Sequence, residues 1–162
     1  MVYQKIFVAL DNAPQANAVF DKALEIATQY QAELLLFHCL PIEHPEVSAY
    51  SGLHGENLVN FSRMMQDHLA NSTETTRKWL EAYGDRANHA GVKTDWTWKL
   101  GEAGKLISQA AKAWDADLIV IGRRGRSGLA EMLLGSVSNY VTHHANCSVL
   151  VVQGQKDDPA TT

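Results

Sequence analysis

Three glycines and a serine near the C-terminal end of the chain have the types and the spacing of a phosphate-binding loop. Gly122 and Gly125 are separated by two residues, and Gly135 follows after nine more and is itself followed by Ser136. Glycine has no Cβ, so its backbone N–H group can approach a phosphate closely. A helical pattern begins after Gly135, and the first turn of a helix presents free N–H donors and a partial positive charge. The pattern predicts a cradle for a di- or triphosphate, to which the hydroxyls of Ser136 and Ser138 can add donors.

A purely structural interpretation of the same residues is open as well. Gly122 and Gly128 can serve as turns between elements, and Ser136 can be an ordinary helix N-cap. The segment is not a P-loop, because no Gly-Lys-Ser or Gly-Lys-Thr follows a first strand. Spacing alone therefore leaves phosphate binding and simple turn formation as alternatives.

Apolar runs and helical periodicities alternate along the chain and would position this loop. Strands are predicted at Lys5–Leu10, Glu33–Leu40, Val92–Leu100, Ala116–Ile121 and Ser148–Val152. The third of these alternates between apolar and polar residues, which favours a place nearer a sheet edge. Helices are predicted from Pro14 to about Tyr30, and over Asn57–His89, Ala103–Trp114 and Ser136–His144, with a candidate kink at 71–76. The order β-α-β-α-β-α-β-α-β is typical of an α/β domain with a parallel sheet and helices on both faces.

The remaining segments and the composition limit which class of protein this chain can belong to. Residues 41–56 contain two prolines and two glycines and are expected to form a loop, whereas 154–162 is expected to be a disordered tail after a domain spanning 1–153. A net charge of -4 does not favour a nucleic-acid partner. Without a basic, apolar leader or a run of ~20 apolar residues, a cytoplasmic protein with no membrane contact is expected. Cys39 and Cys147 are expected to be buried, reduced thiols, and the seven histidines form no metal-ligand array.

The segment from Gly122 to Val152 resembles the C-terminal signature of the universal stress protein family. The nucleotide-binding branch of that family carries the motif G-x2-G-x9-G-S/T, which this sequence matches at the three glycines and the serine described above. KIFVALD near the N-terminus resembles the family's first strand, which ends in an aspartate, and ADLIVIG resembles its fourth strand. The likeness extends over residues 3–152 and is weakest in the loop at 41–56.

This resemblance implies a single-domain, five-stranded parallel sheet in the strand order 3-2-1-4-5, a Rossmann-like fold of the adenine nucleotide alpha hydrolase type. ATP would sit over the ends of strands one and four, where Asp11 would accept hydrogen bonds from the ribose. Magnesium would bridge the phosphate oxygens, with no ligand from the protein. The remaining implied contacts are Ala9 and the backbone of Cys39 to adenine, Ile121 and Gly122 as the floor, and Gly125, Gly135, Ser136, Val137 and Ser138 to the phosphates.

Arg123, Arg124 and Arg126 form the densest basic cluster of an acidic chain. Many family members have a small polar residue and a histidine where the first two of these arginines stand, and a serine where this chain has Ala13. Arginine suits bidentate contact with phosphate, so one of the three, Arg124 in our assignment, is expected to clamp the ligand. A solvated loop or a salt bridge across a dimer is the alternative.

The expected assembly is a homodimer, and the expected activity is binding rather than dedicated catalysis. The resemblance implies that Ser148–Val152 lies at a sheet edge and pairs with the same strand of a second subunit. No general base stands out beside the loop, so we expect a stress-response or signalling module that binds ATP and an unidentified protein partner. A weak ATPase, a self-phosphorylating protein, and a dimer that binds AMP or a cyclic nucleotide are the alternatives. Asp11 is also a candidate N-cap of the first helix.

Overall fold

The computed structural model describes residues 2–42, 55–123 and 134–154, and within these ranges five strands alternate with four helices. The strands are β1 (Lys5–Leu10), β2 (Glu33–Leu40), β3 (Thr94–Leu100), β4 (Leu118–Gly122) and β5 (Ser148–Val152). The helices are α1 (Ala16–Tyr30), α2 (Glu56–His89), α3 (Ala103–Ala113) and α4 (Ser136–His144).

All strand pairs are parallel, and the strand order β3-β2-β1-β4-β5 confirms the predicted 3-2-1-4-5 sheet. β3 and β5 form the two edges, as the alternating pattern of β3 suggested. The register pairs Leu10 with His38 and Gly122 with Val152 at the carboxyl ends of the strands. In a parallel sheet the carboxyl ends of all strands lie at the same end of the sheet, and α/β folds bind their ligands there.

Side chains of the central strands alternate between two apolar layers. In β1, Ile6 and Val8 face a layer with α1 and α2, whereas Phe7 and Ala9 face a layer with α3 and α4. Ile6, Phe7 and Val8 have no exposed surface. Burial on both faces explains why this strand reads as a continuous apolar run. The same alternation decides which side chains at the strand ends face the candidate site.

Three helices end in the same way, with one residue in the left-handed conformation. These residues are Gln31 (φ 57°), Gly91 (φ 84°) and Asp115 (φ 57°). In each case the next N–H group reaches back five residues to a helix carbonyl, as in a Schellman motif. The bonds are Ala32 N to Ala27 O (2.9 Å), Val92 N to Ala87 O (3.0 Å) and Ala116 N to Ala111 O (2.9 Å). Gly91 therefore ends α2 in the manner that the sequence indicated.

Several element bounds differ from the predicted ones by one or two residues, and the later starts of β3 and β4 have a visible cause. β3 begins at Thr94 because the N–H group of Val92 closes the end of α2. β4 begins at Leu118 because the Asp117 carboxylate accepts hydrogen bonds from the N–H groups of Gln4 (2.8 Å) and Lys5 (3.1 Å). Residues 71–76, the candidate kink, belong to the continuous helix α2.

Helix α2 extends well beyond its buried part. Of its 34 residues, the buried ones run from Thr76 to Ala87. Within the described ranges, no helix is long and apolar enough to cross a membrane. Residues 43–54 of the predicted 41–56 loop, and 155–162 of the predicted tail, lie outside the described residues.

Candidate functional site

A cavity opens at the carboxyl ends of β1, β2 and β4, between the sheet and the α3–α4 layer. Its empty volume, including the part open to solvent, is about 520 Å³. Seven residues that the sequence assigned to a ligand line this one cavity: Ala9, Asp11, Cys39, Ile121, Gly122, Val137 and Ser138. The structure therefore brings together residues that are up to 129 positions apart in the chain, between Ala9 and Ser138.

Strand alternation explains why these side chains share one face. Ala9, Phe37 and Ile121 belong to the apolar layer beneath α3 and α4. Asp11 and Cys39 come two residues after Ala9 and Phe37, and both line the same cavity. Because side chains two apart along a strand point to the same side, the apolar floor passes directly into the polar rim.

Asp11 follows β1 and organises the turn into α1. Its Oδ1 atom accepts a hydrogen bond from the N–H group of Ala13 at 3.3 Å. The N-cap of α1 is Gln15, which makes no side-chain capping bond. Asp11 therefore stabilises the strand-to-helix turn, not the helix terminus, and its carboxylate remains part of the cavity lining.

The start and the end of the glycine-rich loop are tied together at the carbonyl of Arg123. That oxygen accepts hydrogen bonds from the N–H group of Gly135 (2.9 Å) and from the hydroxyl of Ser138 (2.8 Å). The Ser138 hydroxyl also contacts the carbonyl of Gly135 at 3.0 Å, and Ser138 is only 2% exposed. Both groups were expected to be phosphate donors, and in this structure they hold the loop base closed.

The N-terminus of α4 supplies the remaining main-chain donors. Its first intrahelical bond runs from the N–H group of Asn139 to the carbonyl of Gly135 at 2.9 Å. The N–H groups of Ser136, Val137 and Ser138 precede that bond, so helix geometry gives them no intrahelical acceptor. Val137 and Ser138 line the cavity, which places this helix terminus at its wall.

The missing side chain of Gly122 faces α1, on the side opposite the cavity. A Cβ atom built on Gly122 would lie 3.0 Å from Gln15 Nε2 and 3.3 Å from Val19 Cγ2, both in the α1 segment. The missing Cβ was expected to clear the way for a phosphate. In the structure the position of the missing Cβ faces the side chains of Gln15 and Val19 instead.

The arginine cluster is described only at its first residue. The Nη1 atom of Arg123 donates to Oε1 of Gln153 at 2.8 Å, beyond the end of β5. Arg123 is absent from the cavity lining among the residues that the structure describes. Arg124 and Gly125, both assigned to the phosphate site, and Arg126 lie outside the described residues.

Cys39 places a protonated thiol at the adenine end of the implied site. Its Sγ atom donates to the carbonyl of Gly101 at 3.1 Å, and burial raises the pKa of the thiol above its usual value. Cys147 is also a free thiol whose pKa is raised, mainly by burial and further by the Asp117 carboxylate. Both cysteines are free thiols, as expected, but they are only half-buried, whereas buried thiols were expected.

Sequence reasoning missed the wall that α3 contributes. Ala103 and Ile107 lie four residues apart on α3 and line the cavity together with Phe37 and Leu10. The i, i+4 spacing marks one face of the helix, but nothing in the sequence tells which cavity that face covers. Close α3–α4 packing fixes this wall, because Gly104 lies against the ring of Tyr140.

Within the described ranges, no three His, Cys, Asp or Glu side chains are grouped so as to hold a metal ion. His144, one of the paired histidines of α4, stacks on Tyr140 with ring centroids 3.8 Å apart. Its Nδ1 atom lies 2.8 Å from the Tyr140 carbonyl. These contacts of His144 therefore lie within its own helix.

The fold, the motif and the cavity agree with one protein family. The model of the Universal stress protein family matches residues 2–153 of this chain. The chain belongs to the universal stress protein family. Universal stress protein Sll1388 of Synechocystis sp. is 42% identical over 153 residues, which cover 94% of this chain and 99% of that protein.

Solved structures of the universal stress protein fold resemble the chain over nearly its whole length. The structure of hypothetical protein MJ0577 has a TM-score of 0.76 at 24% identity and covers 97% of this chain and 100% of that one. A universal stress protein in complex with cAMP has a TM-score of 0.66 at 22% identity, with coverages of 94% and 98%. The universal stress protein from Archaeoglobus fulgidus in complex with dAMP has a TM-score of 0.59 at 21% identity, with coverages of 93% and 98%.

Proposed function

We propose that this universal stress protein binds an adenine nucleotide, ATP in our assignment, in the cavity at the carboxyl ends of β1, β2 and β4. The observation that carries the proposal is that seven residues assigned to the nucleotide by the family resemblance line that single cavity. Two proteins of the same fold are in complex with the adenine nucleotides cAMP and dAMP, which supports the choice of base.

The lining favours one orientation of the nucleotide. Adenine lies on the apolar floor of Ala9 and Ile121, with its polar edge toward the backbone of Cys39. Asp11 accepts from the ribose hydroxyls, because an ionised carboxylate makes stronger hydrogen bonds than a neutral acceptor. The phosphates then point toward the first turn of α4 at Val137.

The first turn of α4 is the main attraction for the phosphates. Free N–H groups and the helix dipole favour an anion at this position. The Ser138 hydroxyl and the Gly135 N–H group contribute indirectly, because they hold the loop base to the Arg123 carbonyl. Gly125 and Arg124 complete the phosphate site in this proposal. Magnesium would be held by the phosphate oxygens, because this cation prefers oxygen ligands.

The decisive experiment identifies the nucleotide that the protein carries. The purified chain is denatured and the released small molecules are identified by mass spectrometry, followed by calorimetric titration of the nucleotide-free protein with ATP, AMP and cAMP. Stoichiometric binding of at least one of them is the expected result. A protein that carries none and binds none would exclude the proposal.

We further propose that the nucleotide acts as a conformational ligand of a stress-response or signalling module, in line with the family. Phosphate release in the presence of the protein should then be no faster than a few turnovers per hour. Turnover in seconds, linear in protein concentration, would favour the ATPase alternative.

The proposed assembly is a homodimer through β5, with cytoplasmic localisation. β5 is an edge strand whose apolar residues Val149–Val152 are only partly buried. An apolar edge strand offers unpaired backbone groups to a second copy. Light scattering at micromolar concentration should give twice the monomer mass. Amides of β5 should gain hydrogen-exchange protection with concentration, whereas those of β3, the other edge, should not.

A further inference from the structure

A second cavity adjoins the candidate nucleotide site on the side away from the phosphates. It has an empty volume of about 780 Å³, including space open to solvent. It is lined by Cys39, Pro41, Ile42, Gly101, Glu102 and Ala103. Cys39 and Ala103 line both cavities, so the two spaces adjoin at these two residues.

The rim between the two cavities is held by hydrogen bonds between β2 and the turn after β3. The N–H group of Gly101 donates to the carbonyl of Leu40 at 3.1 Å. In the opposite direction, the Cys39 thiol donates to the carbonyl of Gly101 at 3.1 Å. Gly101 has a φ of 143°, a conformation that side-chain-bearing residues rarely adopt. The turn that bounds the second cavity therefore favours glycine at this position.

The chemistry of the second cavity favours an uncharged occupant. Its described lining contains one charged side chain, Glu102, and that carboxylate lies 2.9 Å from the ammonium group of Lys105. Pro41, Ile42 and Ala103 supply apolar surface. A phosphate group would meet a carboxylate here and no cation among these lining residues, so a second phosphorylated moiety does not fit.

We propose that the second cavity receives an uncharged, apolar substituent carried on the adenine ring, so that the preferred ligands include adenine nucleotides extended at the exocyclic amine. This inference rests on the proposed nucleotide function. Asp11 lies at the ribose end and Val137 at the phosphate end of the first cavity, which leaves adenine at Cys39. The second cavity begins at Cys39, and a group attached to the base edge continues into it.

The test compares ATP with N6-benzyl-ATP by calorimetry on the full chain. We expect N6-benzyl-ATP to bind about tenfold more tightly, the effect of burying roughly 55 Å² of apolar surface. Ile42→Glu should abolish this gain and leave ATP affinity unchanged, because Ile42 lines only the second cavity and is 54% exposed. Val59→Glu is the matched control, because Val59 is 57% exposed on α2 and lines neither cavity.

The outcomes separate this inference from the proposed function. If ATP binds but N6-benzyl-ATP binds equally or more weakly, the second cavity is not a substituent site, and the nucleotide proposal stands. A tenfold gain that survives Ile42→Glu would place the benzyl group elsewhere and also overturn the inference. If neither nucleotide binds, the proposed function fails and this inference fails with it.

Discussion

The contact between α3 and α4 at Gly104 gives the most direct test of how the fold shapes the candidate site. A Cβ atom on Gly104 would lie 2.9 Å from Cδ1 and Cγ of Tyr140 and 3.0 Å from its Cβ. Attractive contact between carbon atoms is optimal at about 3.5–4.0 Å. Rotation of the tyrosine ring cannot relieve the contacts with Cβ and Cγ, and the ring is stacked on His144. Gly104→Ala must therefore push the two helices apart.

The expected magnitude is the difference between two opposing effects. Overpacking of a core contact costs roughly 1–3 kcal/mol. Alanine has a higher helix propensity than glycine, which offsets up to about 1 kcal/mol. Gly104→Ala should therefore lower the free energy of unfolding by roughly 0.5–2 kcal/mol. Nucleotide affinity should fall as well, because Ala103, next to Gly104, and Val137, three residues before Tyr140, line the cavity.

Urea denaturation of four proteins measures this effect: the parent chain, Gly104→Ala, Tyr140→Ala and the double variant. In the Tyr140→Ala background two of the three close contacts disappear, so the coupling energy should be at least about 0.5 kcal/mol. Gln109→Ala, at an exposed position of the same helix, should change stability by less than about 0.5 kcal/mol. If Gly104→Ala proved stabilising, or if the two substitutions were additive, the packing argument would be refuted.

Three further predictions concern the site and its cysteines. Asp11→Asn should weaken nucleotide binding about tenfold, as expected for loss of one charged hydrogen bond, while the melting temperature barely changes; a lower melting temperature with unchanged affinity would instead assign Asp11 a purely structural role. Bound nucleotide should slow alkylation of Cys39, which lines the cavity, but not of Cys147, as measured by peptide mass spectrometry. Equal protection of the two cysteines would contradict the proposed site. Burial raises the pKa of both thiols from 9.0, so the folded state binds their protons more tightly than the unfolded state does. The resulting contribution to the free energy of unfolding is present below pH 9 and is lost as the pH rises through the folded-state pKa. Urea midpoints at about pH 8 and about pH 10 should therefore fall less in a Cys39→Ser, Cys147→Ser variant than in the parent chain.

Much of the fold was predictable because the central strands are buried on both faces and the helices carry regular apolar periodicity. The bounds of β2, α4 and β5 agree with the predicted ones to the residue. One error lies where a residue serves the terminus of the preceding helix. Val92 was assigned to β3 by its apolar character, but its N–H group closes the Schellman motif of α2. Periodicity cannot register such a bond.

The left-handed helix ends show a second limit of sequence reasoning. Gly91 was recognised because glycine adopts this conformation without a Cβ penalty. Gln31 and Asp115 adopt it too, at φ 57°, although such a conformation costs side-chain-bearing residues roughly 1–2 kcal/mol. Tertiary packing of the helix and the following strand decides these positions. The propensity of each single residue does not predict a left-handed helix end at these positions.

The candidate site was predictable as a set of residues more than as a set of roles. The resemblance to the family and the glycine motif together select seven cavity-lining residues, yet the hydrogen bonds assign two of the expected phosphate donors to the Arg123 carbonyl. Such an internal bond depends on where the loop closes in space. The α3 wall was missed for a related reason: a helix face is visible in the sequence, but the neighbour that it covers is not.

Gly122 contributes to both faces of the sheet. Leu118 and Val120 of β4 face the α1–α2 layer, and Gly122 continues that alternation, so its missing side chain would point at Gln15. Its backbone, by contrast, lines the cavity on the other face. A bulky substitution at Gly122 would therefore displace α1 and disturb the turn at Asp11 before it touched any phosphate. Loss of nucleotide binding in such a variant would report on sheet packing, whereas the helix terminus at Val137 is where phosphate contact itself must be tested.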